Sequence, residues 1–129
     1  IRMGYRAMAL KPIAKTMSMS MKIAQAAHEK QIPCFCADLT VNPVLVEWNK
    51  AVAARLPSFP GLDGLGLVET NGHQNYRNWE QMRTHLPYPD AAWSRTRKGV
   101  FELDADYYAK SGGILEEMPH YEAMFKKGK

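Results

Sequence analysis

The sequence contains little cysteine, and its two thiols are poorly placed to form a disulfide. Cys34 and Cys36 are the only cysteines among 129 residues. Two positions apart in a strand, they point to the same face, where a bridge between them is unfavourable. A chain without disulfides is typical of a reducing compartment, so we expect a cytoplasmic protein. No apolar run approaches the ~20 residues that cross a bilayer, which argues against a membrane partner.

Strong charge of one sign and the common ligand-binding motifs are also missing. Seventeen basic residues against thirteen acidic ones leave a net charge of +4, spread along the chain. No nucleic-acid-binding motif accompanies the basic residues, so we expect no nucleic-acid partner. The sequence has no HExxH or CxxC pair, which would indicate zinc, and no GxGxxG loop, which would bind a phosphate.

A strand–helix pattern that occurs three times fills the first two-thirds of the sequence. Short apolar runs end at Lys11, Asp38 and Glu69, which are spaced 27 and 31 residues apart. A helical pattern follows each run, which favours a parallel sheet with crossover helices. Helices are predicted from a cap at Ser18 or Ser20 to about residue 30, from 44 to 56 after Pro43, and from 74 to 84.

The second predicted helix has one apolar side, and the end of the chain differs in character from the three units. One side of that helix carries Leu45, Trp48, Val52 and Leu56. The spacing of the strand ends matches the (β/α)8 barrel, which averages about 31 residues per unit. We therefore predict an α/β chain with about three units of a TIM barrel over residues 1–86. Residues 87–129 would form an extension that packs on these units.

Lys11, Asp38 and Glu69 stand at predicted strand ends, which is where barrel enzymes place their active sites. If all three side chains point inward, one amine and two carboxylates converge there. A lysine in a partly dry pocket can accept a proton, because burial favours the neutral amine. Each residue also has a structural interpretation: Lys11 at the surface, Asp38 as a loop cap, and Glu69 in solvent. His73 is the histidine nearest to these strand ends. It either contacts the substrate or has no role in the site.

Two stretches of sequence resemble a known family. ALKPIAKT (9–16) matches a sixth barrel strand that ends in a lysine and is followed by a loop. SMSMKIAQAAH (18–28) and QIP (31–33) match the next helix and the start of the seventh strand. Together they resemble the C-terminal part of the enolase superfamily, and in particular its mandelate racemase and muconate lactonizing enzyme group. The resemblance covers roughly residues 3–80.

The resemblance implies strands six to eight of a TIM barrel, with Lys11 as the acid/base. Family members abstract a proton alpha to a carboxylate, and Mg2+ stabilises the resulting enediolate. The Mg2+ ligands would lie on strands three to five, which are absent from this chain. Glu69 matches a position where some members place an acidic residue near the substrate. Asp38 stands where the mandelate racemase branch has a histidine, which argues against the histidine-base branch.

Two functions from different classes follow from these observations. The first is a fragment of a Mg2+-dependent racemase, epimerase, cycloisomerase or dehydratase acting on a small carboxylate, inactive alone and homo-oligomeric at full length. Its substrate would contact Asp38, Glu69 and His73. The second is a stand-alone α/β module that covers its sheet edges by self-association. A phosphate-sugar barrel enzyme is disfavoured, because the loops after the last two strands have no glycine-rich phosphate signature.

Overall fold

A computed structural model describes residues 4–126 and has a mixed α/β fold with two small sheets. The elements in chain order are β1 (Met8–Leu10), α1 (Met17–His28), β2 (Cys34–Ala37), α2 (Pro43–Ala53), β3 (Val68–Glu69), α3 (Gly72–Asn75), α4 (Trp79–Arg83), β4 (Thr96–Arg97), β5 (Val100–Phe101), α5 (Ala105–Ala109) and α6 (Pro119–Lys126). Two 3-10 turns, Ala92–Ser94 and Ser111–Gly113, lie between these elements. No helix within residues 4–126 is long and apolar enough to cross a membrane.

The two long helices begin at side-chain caps. The Thr16 hydroxyl accepts the backbone N–H of Met19 at 3.3 Å, so α1 begins earlier than the predicted caps at Ser18 or Ser20. Thr16 takes this role because its extended backbone precedes the first helical turn. Pro43 occupies the first turn of α2, as the sequence predicted, and the structure adds Asn42 as the side-chain cap.

The three parallel strands pair in chain order, β1 with β2 and β2 with β3. Leu10 pairs with Cys36, and Cys36 pairs with Val68, so these three side chains lie on one face of the sheet. The predicted α/β class and the parallel sheet built from strand–helix units are therefore confirmed. Within residues 4–126, β1 and β3 each have a pairing partner on one side.

One face of the parallel sheet is covered by helices. Its buried core contains Leu10, Cys34 and Ala27, the last of these from α1. Leu56, which follows α2, packs against the same cluster. Helix α1 contacts β1 and β2, and α2 contacts β2 and β3. Because parallel crossovers are right-handed and the strands pair in chain order, both helices belong on the same face.

The other face of the sheet, which we call the open face, is only partly covered. Ala9 is exposed there, Phe35 is half-buried and Ala37 is buried. The Phe59 ring approaches Phe35 edge-on, with 5.9 Å between the ring centroids. A parallel sheet is normally covered on both faces, so this open face is unusual for the fold class.

The third predicted helix is interrupted. Residues 74–84 were expected to form one helix, and the structure instead has α3 and α4 with an extended residue, Tyr76, between them. The Tyr76 hydroxyl donates to the carbonyl oxygen of Thr40 at 3.0 Å. This contact is with a loop 36 residues earlier in the chain, and a local helical pattern cannot predict it.

The C-terminal segment packs on α2. Lys50 Nζ donates to the carbonyl oxygen of Trp93 at 2.7 Å, and the Tyr107 hydroxyl donates to the carbonyl oxygen of Glu47 at 2.9 Å. The division at residues 1–86 and 87–129 stays a prediction, and its positions 1–3 and 127–129 lie outside the described residues.

Candidate functional site

Lys11 directly follows β1, at the carboxyl end of the sheet. Its side chain is half-buried, and Nζ donates to the backbone carbonyl oxygen of Asp38 at 2.9 Å. Pro12 is buried and favours an extended backbone at Lys11, so the side chain emerges where the strand ends. The amine of Lys11 is thereby held between the ends of β1 and β2.

Asp38 has different surroundings from those expected. It is 4% exposed, and its carboxylate accepts two backbone N–H groups at 3.0 Å, Thr40 at Oδ1 and Asn71 at Oδ2. Alternation along β2 places Asp38 on the face of Cys36, which the helices cover. The register therefore separates the Asp38 side chain from the face of Lys11, so the condition that all three side chains point inward does not hold in this arrangement. Its hydrogen bonds match the structural interpretation of a loop cap.

Glu69 lies on the same face of the sheet as Lys11. Ala9 pairs with Phe35, and Ala37 pairs with Glu69, so alternation places Lys11, Ala37 and Glu69 in one row across the three strands. The Glu69 side chain is exposed. The structure thus places one amine and one carboxylate on the open face, with the small Ala37 side chain between them.

His73 lies in α3, just beyond the end of β3, and is exposed. Its ring meets the Trp79 ring edge-on, with 6.3 Å between centroids. Helix α3 begins at Gly72, where a Cβ atom would collide with the Val41 carbonyl oxygen and the Trp79 ring. Glycine at this position lets the start of α3 approach the loop after β2.

A buried ion pair in α2 was missed by the sequence reasoning. Lys50 Nζ lies 2.6 Å from Glu47 Oε1 and 4.3 Å from the centre of the Phe101 ring. The predicted apolar side of α2 is only half-buried, whereas the buried set is Pro43, Val46, Glu47, Asn49, Lys50 and Ala53. The signal available in the sequence was the spacing of three residues between a Glu and a Lys, which places them on neighbouring helix positions.

Burial displaces the pKa values of this pair in opposite directions. Loss of hydration raises the pKa of Glu47 and lowers the pKa of Lys50, while the attraction between them opposes both shifts. The two groups are held by protein contacts on several sides, and their side chains are 4% and 1% exposed. We therefore interpret the pair as a structural element that binds α2 to the C-terminal segment.

A cleft of about 370 Å³ opens beside this ion pair. It lies between α2, α4 and the β4–β5 hairpin, and its wall includes Thr70, His73, Trp79 and Arg83. The Arg83 guanidinium is buried and donates to Glu80, the Pro89 carbonyl oxygen and the Ser94 hydroxyl over 2.9–3.0 Å. These bonds satisfy the positive charge of Arg83 within the protein, so it is poorly available to a ligand.

The described residues do not form a metal site. No group of three or more His, Cys, Asp or Glu side chains within residues 4–126 could hold a metal ion. Both carboxylate oxygens of Asp38 already accept N–H groups, which reduces their capacity to ligate a cation. The two cysteines are free and buried, and burial raises the pKa of the Cys36 thiol to about 12.

No family model, curated protein or solved structure matches this chain. The likeness to the enolase superfamily accordingly depends on the motifs quoted above.

Proposed function

We propose that this chain forms three βα units of a (β/α)8 barrel enzyme that removes a proton alpha to the carboxylate of a small substrate. Lys11 would act as the acid/base, and Glu69 would contact the substrate. The observation that carries the proposal is the shared open face of Lys11 and Glu69 at the carboxyl ends of β1 and β3, the two strands that flank β2. That end of the strands is where barrel enzymes bind their substrates.

The arrangement of the sheet supports the barrel interpretation. The strands pair in chain order, and both crossover helices lie over one face. Doubly wound sheets, in contrast, carry helices on both faces and reverse their strand order. A barrel wall has helices outside and strands inside, which accounts for the uncovered face that bears Ala9 and Phe35.

The surroundings of Lys11 suit a proton-transfer role. Nζ would keep its hydrogen bond to the Asp38 carbonyl oxygen while it faces a substrate on the open face. The amine would then take the α-proton as the C–H bond breaks, and the electron pair would delocalise into the substrate carboxylate. Return of the proton to carbon regenerates the amine. Glu69 would accept a hydrogen bond from a substrate hydroxyl or ammonium group.

Mg2+ and the remaining features stay part of the proposal. The described residues do not fit a metal ion, so the Mg2+ ligands would come from strands outside this chain. A cytoplasmic location and a homo-oligomer at full length are proposed on the sequence arguments above. His73, exposed beyond the end of β3, is proposed as a substrate contact from the adjacent loop.

The test is exchange of the α-proton with solvent in the protein expressed from its complete coding sequence. A panel of 2-hydroxy, 2-amino and sugar acids is incubated in D2O with Mg2+, and loss of the α-proton signal is followed by NMR. We expect Lys11→Met to slow exchange at least ~100-fold, the usual contribution of a general base. Lys15→Met is the matched control, because Lys15 is exposed on the same loop. Full exchange in Lys11→Met would refute the role of Lys11.

A self-associating module is the second candidate. The open face, with exposed Ala9 and half-buried Phe35, and the free edges of β1 and β3 within residues 4–126 favour it. Sedimentation of the 129-residue chain distinguishes the two functions. A folded monomer would count against self-association, whereas a stable dimer that Phe35→Lys dissociates would support it.

A further inference from the structure

The loops that follow β2 and β3 are joined by a small set of polar contacts, which we call the interloop cluster. It consists of Asp38, Thr40, Asn71 and Tyr76. The Asp38 carboxylate accepts the N–H of Thr40 in its own loop and the N–H of Asn71 in the next loop, each at 3.0 Å. The Tyr76 hydroxyl, in the loop after β3, donates a hydrogen bond to the Thr40 carbonyl oxygen at 3.0 Å.

A carboxylate is the side chain that these two N–H groups require. Both acceptor oxygens of Asp38 are used, one for each loop. An asparagine amide has one acceptor oxygen, so its NH2 group would face one of the two N–H donors. Asp38 is also 4% exposed, which keeps these charge-assisted bonds away from water and strengthens them.

The interloop cluster is connected to both residues of the proposed site. The backbone carbonyl of Asp38 accepts the Lys11 amine at 2.9 Å, so whatever orients Asp38 also orients that carbonyl. Asn71 lies two residues after Glu69, and the Asp38 N–H donates to the Glu69 carbonyl oxygen at 3.2 Å. One buried carboxylate thus acts on the position of Lys11 and on the chain that carries Glu69.

We propose that Asp38 is a positioning residue that sets Lys11 and Glu69 in place through the interloop cluster and does not contact the substrate. The catalytic part of this inference rests on the proposed function, whereas the link between the two loops does not. Of the two carboxylates, Asp38 and Glu69, only Glu69 would then face the substrate.

The link between the loops is tested by amide hydrogen exchange on the complete protein. In Asp38→Asn we expect exchange at the Thr40 and Asn71 amides to rise at least ~10-fold, because an acceptor oxygen and the charge are both lost. Amides in the middle of α1 should keep their rates. Asp90→Asn is the control, because Asp90 is exposed in a turn. Unchanged Thr40 and Asn71 rates in Asp38→Asn would overturn the inference.

The kinetic readout separates positioning from substrate contact. We expect kcat of Asp38→Asn to fall on the order of 10- to 100-fold with KM nearly unchanged, since a small displacement of the reacting group has that effect. A raised KM with normal kcat would mean that Asp38 binds substrate, and would overturn the inference. If the wild-type protein exchanges no α-proton, the proposed function fails, while the amide rates still decide whether Asp38 joins the loops.

A second variant covers the possibility that Asp38→Asn does not fold. Tyr76 is exposed, and Tyr76→Phe removes only the hydroxyl that donates to the Thr40 carbonyl oxygen. We expect the Thr40 amide to exchange several-fold faster, with a smaller decrease in kcat than in Asp38→Asn. Wild-type amide rates in Tyr76→Phe would overturn the cluster as a unit.

Discussion

Lys50 and Glu47 form a contact of 2.6 Å between oppositely charged atoms in the buried side of α2. Lys50 also donates to the Trp93 carbonyl oxygen, 43 residues along the chain. The backbone carbonyl oxygen of Glu47 accepts a hydrogen bond from the Tyr107 hydroxyl. The pair therefore holds the C-terminal segment against the helix that covers the sheet. It stabilises a face of α2 other than the predicted apolar side.

Removing one partner of this pair should strongly destabilise the protein. Lys50→Met leaves the Glu47 carboxylate buried without its counterion, and we expect the free energy of unfolding to fall by about 3–5 kcal/mol. Urea unfolding followed by tryptophan fluorescence measures this change. Lys22→Met is the matched control, since Lys22 is exposed on α1. The double variant Glu47→Leu/Lys50→Met should recover part of the loss, and a single variant as stable as wild type would contradict a structural role for the pair.

Replacing Gly72 with alanine should destabilise the protein although Gly72 lies in a helix. Alanine normally stabilises a helix by about 1 kcal/mol relative to glycine. At this position its Cβ would collide with the Val41 carbonyl oxygen and lie 2.6 Å from Cζ3 of Trp79. We expect a net loss of about 1–3 kcal/mol, which is typical of overpacking. Thermal unfolding gives the sign directly, and a stabilised Gly72→Ala would show that the two loops do not approach each other.

Alkaline pH should weaken the fold through Cys36. Burial raises the pKa of its thiol from 9.0 to about 12, so between these values the native state holds a proton that the unfolded chain releases. The free energy of unfolding then falls as pH rises above 9, by at most about 1.4 kcal/mol per pH unit for one group.

Urea unfolding at intervals of pH from 8 to 10.5 measures this slope, and Cys36→Ala should make it shallower. Burial also raises the pKa of Tyr107, which therefore contributes to the same slope. The difference between wild type and Cys36→Ala isolates the contribution of Cys36. Ellman's reagent supplies an independent readout, since a protonated buried thiol reacts slowly until the protein unfolds. Rapid labelling of Cys36 in the native protein would contradict its burial.

Local chemistry was the part of the structure that the sequence could predict. Asn42 and Pro43 begin α2 through contacts within one turn, and a pattern of short apolar runs and helices implies a parallel sheet. Asp38 was misplaced because the faces of different strands are related by their register, which pairs Cys36 with Leu10 and Val68. No single strand contains that information.

The buried side of α2 could not be predicted for a similar reason. The pair of Glu47 and Lys50 becomes favourable only when Trp93 and Tyr107 supply contacts from 43 and 60 residues away. The apolar periodicity of a single helix contains no information about contacts from such distant residues. The interruption between α3 and α4 has the same origin, because Tyr76 contacts a loop 36 residues earlier.

Several contacts that hold distant segments together end on main-chain oxygens. Lys11, Lys50 and Tyr107 each donate to a backbone carbonyl, and the acceptors belong to Asp38, Trp93 and Glu47. Every residue type carries that oxygen, so a substitution at the acceptor position does not remove it. Substitution therefore affects the two ends of these bonds differently. Replacing the donor side chain removes the bond outright, whereas replacing the acceptor residue weakens it only by moving the backbone.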